Sequence, residues 1–396
     1  MQIADRLAPL QTNVFADMDR AKAKAIAAGQ PLIDLSLGSS DLPTPPHVLS
    51  AISEALIDPE THGYSLFNST KPFRVAATQW YQEKFGEKFG IEVDPETEVL
   101  ALIGSQEGTA HLPLAVMNPG DVALLQDPGY PSHAGGVYLA GGEIYPMPML
   151  AENDFLPIFS DIPDVIAKRA TMMVLSYPHN PTAAAAPLSF FKEAVAFCQQ
   201  NNIALVHDFP YADLYFEGDP VPSVLQADPE KSVSIEFFSL SKSYNMGGFR
   251  VAYAIGNADL IQGLRQVKAT VDFNQYRGIL RGAITALSGP QDCVVKMVET
   301  FSSRRDAAIQ ALKSIGWDVS KPTATMYIWA KLPESLPNAW STKSIEFCTA
   351  LVGATGVALS PGRGFGESGE GYVRFALVHP PEVLVEAIDR IGQFCQ

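Results

Sequence analysis

The sequence predicts an α/β fold, with a large domain on a mostly parallel sheet covered by helices and a smaller α+β domain. Three observations carry this. Short apolar runs alternate with amphipathic stretches, the pattern of strands buried on both faces. A length of 396 residues suits two domains of ordinary size. The texture changes at Gly289-Pro290, from short apolar runs to a long helical stretch. The predicted domains are 46–289, and 1–45 together with 290–396. The N-terminal stretch is too short to fold alone and is expected to pack on the C-terminal part.

The elements follow in order. Val99–Gly104, Val122–Gln126, Met172–Ser176, Ile203–Asp208, Ser234–Leu240 and Arg250–Ile255 read as strands, each a mainly apolar run. Glu107–Met117, Leu188–Asn201 and Ala258–Ala269 carry helical patterning between them. Beyond Pro290 come a helix over Gln291–Ile315, strands near Tyr327–Lys331, Val357–Ser360 and Tyr372–Leu377, and a last helix over Pro381–Phe394.

Composition excludes several function classes. The formal charge is −15, so an acidic surface repels nucleic acid and anionic lipid. Charged residues are 18% and hydrophobic ones 47%, which excludes a disordered chain and suits an oligomer interface. Cys198, Cys293, Cys348 and Cys395 are far apart and read as buried reduced thiols; no Cys/His spacing suggests a metal site. The start MQIADRLAPLQ lacks a long apolar segment, and no apolar run nears the ~18 residues of a membrane span. A cytoplasmic protein is expected.

Five segments carry chemistry, each at a strand end. Ser239-Leu-Ser-Lys242 continues to Arg250. Lysine forms Schiff bases with carbonyls, and hydroxyl plus guanidinium groups suit a phosphate. Ser239-x-x-Lys242 also fits the SxxK pattern of serine acyl-transferases, but its partner motifs are missing. Asp208 closes an apolar strand three residues before Tyr211. A buried carboxylate needs a partner, for which a pyridinium N–H serves, and a helix N-cap is the plainer use. Asn180-Pro181 is constrained by its proline and can donate an amide hydrogen to a ring oxygen, though turn chemistry alone explains it. Gly104-Ser105-Gln106 joins a strand to a helix, where free N–H groups hold anions and Ser105 can equally be an ordinary cap. Tyr130 stands between prolines in Pro128-Gly-Tyr130-Pro131 and can stack on a flat ring. Gly364-x-Gly366-x-x-Gly369 matches a dinucleotide fingerprint but leads into a strand, and reads as a loop.

A phosphate-ready turn, a stacking aromatic, an Asn, an Asp–Tyr pair and a Ser/Lys/Arg cluster in one chain describe a site for pyridoxal 5′-phosphate. The chain resembles fold-type I, class I/II aminotransferases from end to end. The matching stretches include LIDLSLGSSDLPTPPHV, EVLALIGSQEGTAHLPLAVMNPGD, QDPGYP, SYPHNPT, HDFPYAD, FFSLSKSYNMGGFR and GVALSPGRGFGESGEGYVRFAL. Within them it most resembles the LL-diaminopimelate and N-succinyldiaminopimelate aminotransferase group, with aspartate and alanine aminotransferases as relatives.

The resemblance implies roles. Lys242 carries the cofactor and shuttles the proton. Asp208 pairs with the pyridine nitrogen, Tyr211 and Asn180 bind the ring oxygen, and Tyr130 stacks. Ser105, Gln106, Ser239 and Arg250 hold the phosphate. Arg374 binds the substrate α-carboxylate with Gly38 and Asn180 beside it, and Tyr64 reaches the phosphate of a neighbouring subunit in a homodimer. The implied reaction is a ping-pong transfer from an amino acid to a 2-oxo acid such as 2-oxoglutarate. A β-lyase on the same cofactor and a non-catalytic effector-binding module are the alternatives. Departures from the family pattern are Ala183 after Asn-Pro-Thr, Gly247, Phe249, the loop Ser65–Lys71 with Ser69 and Pro72, and Arg277. Several lie where a substrate side chain is read, and Arg277 or Lys71 is a candidate for a distal carboxylate or a surface charge.

Overall fold

The computed structural model describes residues 3–10, 14–218, 220–334, 336, 340 and 342–396, without the side chains of 14 and 15. Residues 1, 2 and 11–13 of the predicted N-terminal stretch lie outside the described residues. The strands are β1 (Ile33–Asp34), β2 (Val99–Leu102), β3 (Val122–Asp127), β4 (Glu143–Pro148), β5 (Ala170–Ser176), β6 (Ala204–Asp208), β7 (Ser234–Ser239), β8 (Ala252–Gly256), β9 (Tyr327–Lys331), β10 (Val357–Ala358), β11 (Ser360–Pro361) and β12 (Tyr372–Ala376).

Seven strands form one sheet in the order β2-β8-β7-β6-β5-β3-β4. All neighbours are parallel except that β8 runs against both β2 and β7. The alternation of side chains fills two layers. Leu100, Leu102, Val206 and Phe237 pack to one side with Leu112, Val137 and Leu264 from the covering helices. Val99, Ala101, Leu205 and Phe238 pack to the other with Phe73, Trp80 and Phe191. Burial on both faces is why these strands read as unbroken apolar runs.

The N-terminal stretch meets the C-terminal part, because β1 pairs in parallel with β10. β11, β12 and β9 form a separate antiparallel sheet that carries Arg374 opposite Trp329. The expected strand at Val357–Ser360 is therefore two short strands in different sheets. Among the described residues, elements that the patterning does not show include β1, β4 and the helices Val14–Ala27, Pro46–Leu56, Lys71–Tyr81, Pro131–Ala140, Asp164–Ala167 and Arg277–Ser288. The glycine segment 364–369 forms short 3-10 turns before β12 and opens no α-helix. Among the described residues, no helix is long and apolar enough to cross a membrane. The four cysteines form no disulfide; Cys198 and Cys348 are buried, whereas Cys293 and Cys395 are only half-buried.

Candidate active site

Sheet direction gathers the predicted groups. β2, β3, β5, β6 and β7 all end at one edge, and Ser105, Tyr130, Asn180, Asp208 and Lys242 stand at or just beyond those ends. β8 runs the other way and starts at the same edge, so Arg250, two residues before it, joins them. Ligands of open α/β sheets bind at this edge. A cavity of about 580 Å³ opens there. It is lined by all of these residues and by Gln106, Tyr211, Ser239, Gly38 and Arg374.

Charge in the cavity is arranged for anions. Among the described residues, Lys242, Arg250 and Arg374 take part in no ion pair. Arg374 is only 5% exposed. Its guanidinium lies 4.3 Å from the Tyr327 ring centre and 4.7 Å from that of Phe365. Nη1 donates to Asn180 Oδ1 at 2.6 Å, and Nη2 to the Ser36 carbonyl at 2.7 Å and Ser360 Oγ at 3.2 Å. A buried cation held by neutral acceptors keeps its charge for a carboxylate. The bond from Arg374 also fixes the Asn180 amide, turning its N–H groups away from that contact.

Arg250 lies against the strand-to-helix turn. Gly104 has φ +77°, and a Cβ there would stand 2.3 Å from Arg250 Nη2. Gly104 is the N-cap of the helix Ser105–Val116 and offers no side-chain cap. The first N–H groups of that helix have no partner within it. Ser105 is thus not the cap, and its hydroxyl is not spent on that duty. Ser239 caps the short helix Leu240–Ser243, accepting from Ser241 N at 3.2 Å.

Asp208 is buried, with His133 Nε2 3.0 Å from Oδ2. Its Oδ1 is buried without a partner. Asp208 is not a helix cap, since no helix follows β6 directly. Beside it, Tyr211 and Tyr327 share a hydroxyl–hydroxyl bond of 2.9 Å. Burial, then the proximity of Tyr327, pushes the Tyr211 phenol well above its usual range. Burial also acts to raise Tyr327, but Lys242, Arg374 and the bond from Tyr211 outweigh it and hold that phenol below its usual value. Either hydroxyl can be the donor of that bond, so the Tyr211 O–H is free to turn toward the cavity. Lys242 Nζ donates to the Gly38 carbonyl at 2.5 Å. His179, next to Asn180, is pushed down to about 3 by burial and by His133, so it stays neutral and braces the turn through Thr182 Oγ1 at 2.8 Å.

The family described as aminotransferase class I and II matches residues 30–391. The chain belongs to that family. It is 41% identical to the LL-diaminopimelate aminotransferase of Halothermothrix orenii over 391 residues, 99% of this chain and 98% of the relative. It is 40% identical to that of Aquifex aeolicus, with 98% of each covered. Among solved structures, a probable N-succinyldiaminopimelate aminotransferase from Thermus thermophilus superposes with a TM-score of 0.89 at 42% identity, covering 96% of this chain and 99% of that one. An aminotransferase from Staphylococcus aureus gives 0.89 at 31%, with 99% of each chain covered.

In this aminotransferase, Tyr64 does not line the cavity and is 91% exposed. Arg277 and Lys71 also stand outside it. Arg277 donates to the Glu60 carbonyl, and Lys71 pairs with Glu96 at 2.6 Å. Sequence reasoning misses His133, Tyr327, Ser36 and Ser360, which act through other residues of the site. Among the described residues, Glu107, His111 and Asp272, outside this cavity, offer ligand atoms within 4.8 Å of one another. The ammonium of buried Lys268, 2.7 Å from Glu107 Oε1, already supplies a cation there.

Proposed function

We propose that the aminotransferase works with pyridoxal 5′-phosphate and takes LL-diaminopimelate or a close analogue as donor, with a 2-oxo acid such as 2-oxoglutarate as acceptor. The observation that carries the cofactor is Asp208 Oδ1, a buried carboxylate oxygen without a partner at the wall of the cavity that holds Lys242. A protonated ring nitrogen satisfies it. The residues around it fit the rest of the group. Arg250, Ser239 and the first turn of Ser105–Val116 would hold a phosphate, Tyr130 a ring face, and Asn180 and Tyr211 a ring oxygen. Lys242 would supply the amine that holds the cofactor's aldehyde carbon. The bound cofactor supplies an electron sink and a carbon that accepts the amino group.

The chain's own residues then divide the work. Arg374 takes the donor's α-carboxylate, and its two aromatic neighbours keep water from its faces. That grip aims the Cα hydrogen at Lys242, whose Nζ removes the proton. Asp208, oriented by His133, would keep a proton on the ring nitrogen. The names of the relatives support the donor class. Exposed Leu56, Ile57, Tyr64 and Leu66 support a homodimer in which Tyr64 completes the phosphate site of a second copy. Purified protein titrated with pyridoxal phosphate and assayed with LL-diaminopimelate, its N-succinyl form, aspartate and alanine tests the reading. Glutamate formed from 2-oxoglutarate is the expected result; a protein that takes up no cofactor refutes it.

A further inference from the structure

The same cavity that Arg374 lines carries a second group of charged side chains. The helix Val14–Ala27 brings Asp19 and Lys22 to its lining, one turn apart on one face. Asp19 Oδ1 and Lys22 Nζ are 2.8 Å apart. Lys22 also approaches Asp34 Oδ2 at 3.2 Å and Ser36 Oγ at 3.4 Å. Ser36 is the residue whose carbonyl holds Arg374. One residue therefore links the α-carboxylate anchor to this second polar pair. Leu37, 64% exposed, lines the same wall and offers apolar surface for a methylene chain.

The two carboxylates beside Lys22 are not equivalent. Asp34 is committed: it accepts from Ser36 N at 2.9 Å and Ser36 Oγ at 2.6 Å besides meeting Lys22. Asp19 has Lys22 as its partner, and its side chain is 71% exposed. Burial acts to lower Lys22, but Asp19 and Asp34 prevail and keep its ammonium charged. The mouth thus presents one available anion and one cation side by side.

We infer that Asp19 and Lys22 read the distal amino-acid head of the donor, Asp19 taking its ammonium and Lys22 its carboxylate. The inference rests on the aminotransferase reading above and sharpens its substrate class. A distal head bearing both charges exchanges one ion pair for two, whereas a head with one charge meets a repelling neighbour as well as an attracting one. Acylating the distal amine removes the group that Asp19 binds, so the site favours free LL-diaminopimelate over its N-succinyl form.

Three donors separate the contributions: LL-diaminopimelate with both distal groups, L-2-aminoadipate with the carboxylate alone, and L-lysine with the ammonium alone. Each is measured as donor or, where it is not turned over, as competitive inhibitor. Asp19→Asn should raise KM or Ki about fivefold for LL-diaminopimelate and lysine while lowering it for aminoadipate. Lys22→Gln should do the reverse for lysine and aminoadipate, and Lys22→Arg should restore aminoadipate binding. A uniform loss across all three donors would mean that the helix had merely loosened, and overturns the inference. So does wild-type preference for alanine over LL-diaminopimelate, which leaves the aminotransferase reading standing. Absence of turnover with every donor removes that reading, and the inference with it.

Discussion

Gly104→Ala tests the proposed phosphate end of the site without replacing a charged group. The new Cβ would fall 2.3 Å from Arg250 Nη2 and 2.8 Å from Cζ. Restoring an ordinary contact of 3.4 Å moves the guanidinium by about 1 Å, enough to break aligned hydrogen bonds to a fixed anion. Losing one charge-assisted bond costs about 1.5–3 kcal/mol, or about 10- to 150-fold in the dissociation constant of pyridoxal phosphate. Alanine at φ +77° adds a backbone strain of about 1 kcal/mol, visible as a slightly lower denaturation midpoint. The assay is cofactor titration of the stripped protein, followed by absorbance, beside urea denaturation of the same sample. Unchanged cofactor affinity with the expected loss of stability would show that Arg250 does not hold the phosphate.

Lys242→Ala should lower turnover by about 10⁴-fold or more while the circular dichroism spectrum stays native; residual turnover near the wild-type rate refutes Lys242 as the proton carrier. Asp208→Asn keeps the side-chain shape but removes its charge, and kcat/KM should fall about 10²- to 10³-fold in protein shown by absorbance to retain cofactor. Asp228 supplies a test of stability. Burial acts to raise its carboxyl, but bonds from Val233, Ser232 and Ser234 hold it below the usual range. Its stabilisation is therefore complete above an unfolded pKa of about 3.9 and is lost as pH falls through the lower folded value. Asp228→Asn should cost about 2 kcal/mol at pH 7, with the gap to wild type narrowing below about pH 4. A gap independent of pH refutes it.

The sheet was legible because its strands are buried on both faces and end in turns of distinctive chemistry, as at Asp208 and Lys242. β4 was not, for a related reason: it is an edge strand, partly exposed, and carries Pro146 and Pro148, which a strand tolerates only where ladder bonds are dispensable. The helix Pro131–Ala140 hides because Gly135 and Gly136 interrupt its pattern; Gly136 sits where a Cβ would strike the backbone of the helix Ser105–Val116. The residues that line the cavity at the ends of the sheet strands follow from local motifs. Those that orient them do not. His133 precedes Asp208 by 75 positions and Tyr327 follows Tyr211 by 116, so only the folded chain brings them together. Asp19 and Lys22 look like an ordinary surface pair on an amphipathic helix until the folded chain places them in the lining of the cavity.

The reversed strand β8 has a consequence for how the site is assembled. Because β7 and β8 are antiparallel neighbours, Lys242 and Arg250 sit on a short connection between paired strands, and closing it needs little loop entropy. Asn180 and Asp208 are delivered by parallel strands whose pairing requires crossovers of dozens of residues. In kinetic terms the lysine and arginine belong to a low-contact-order half of the site. The carboxylate and amide arrive with the slow, long-range half, so cofactor binding at full strength reports the completion of folding rather than its beginning.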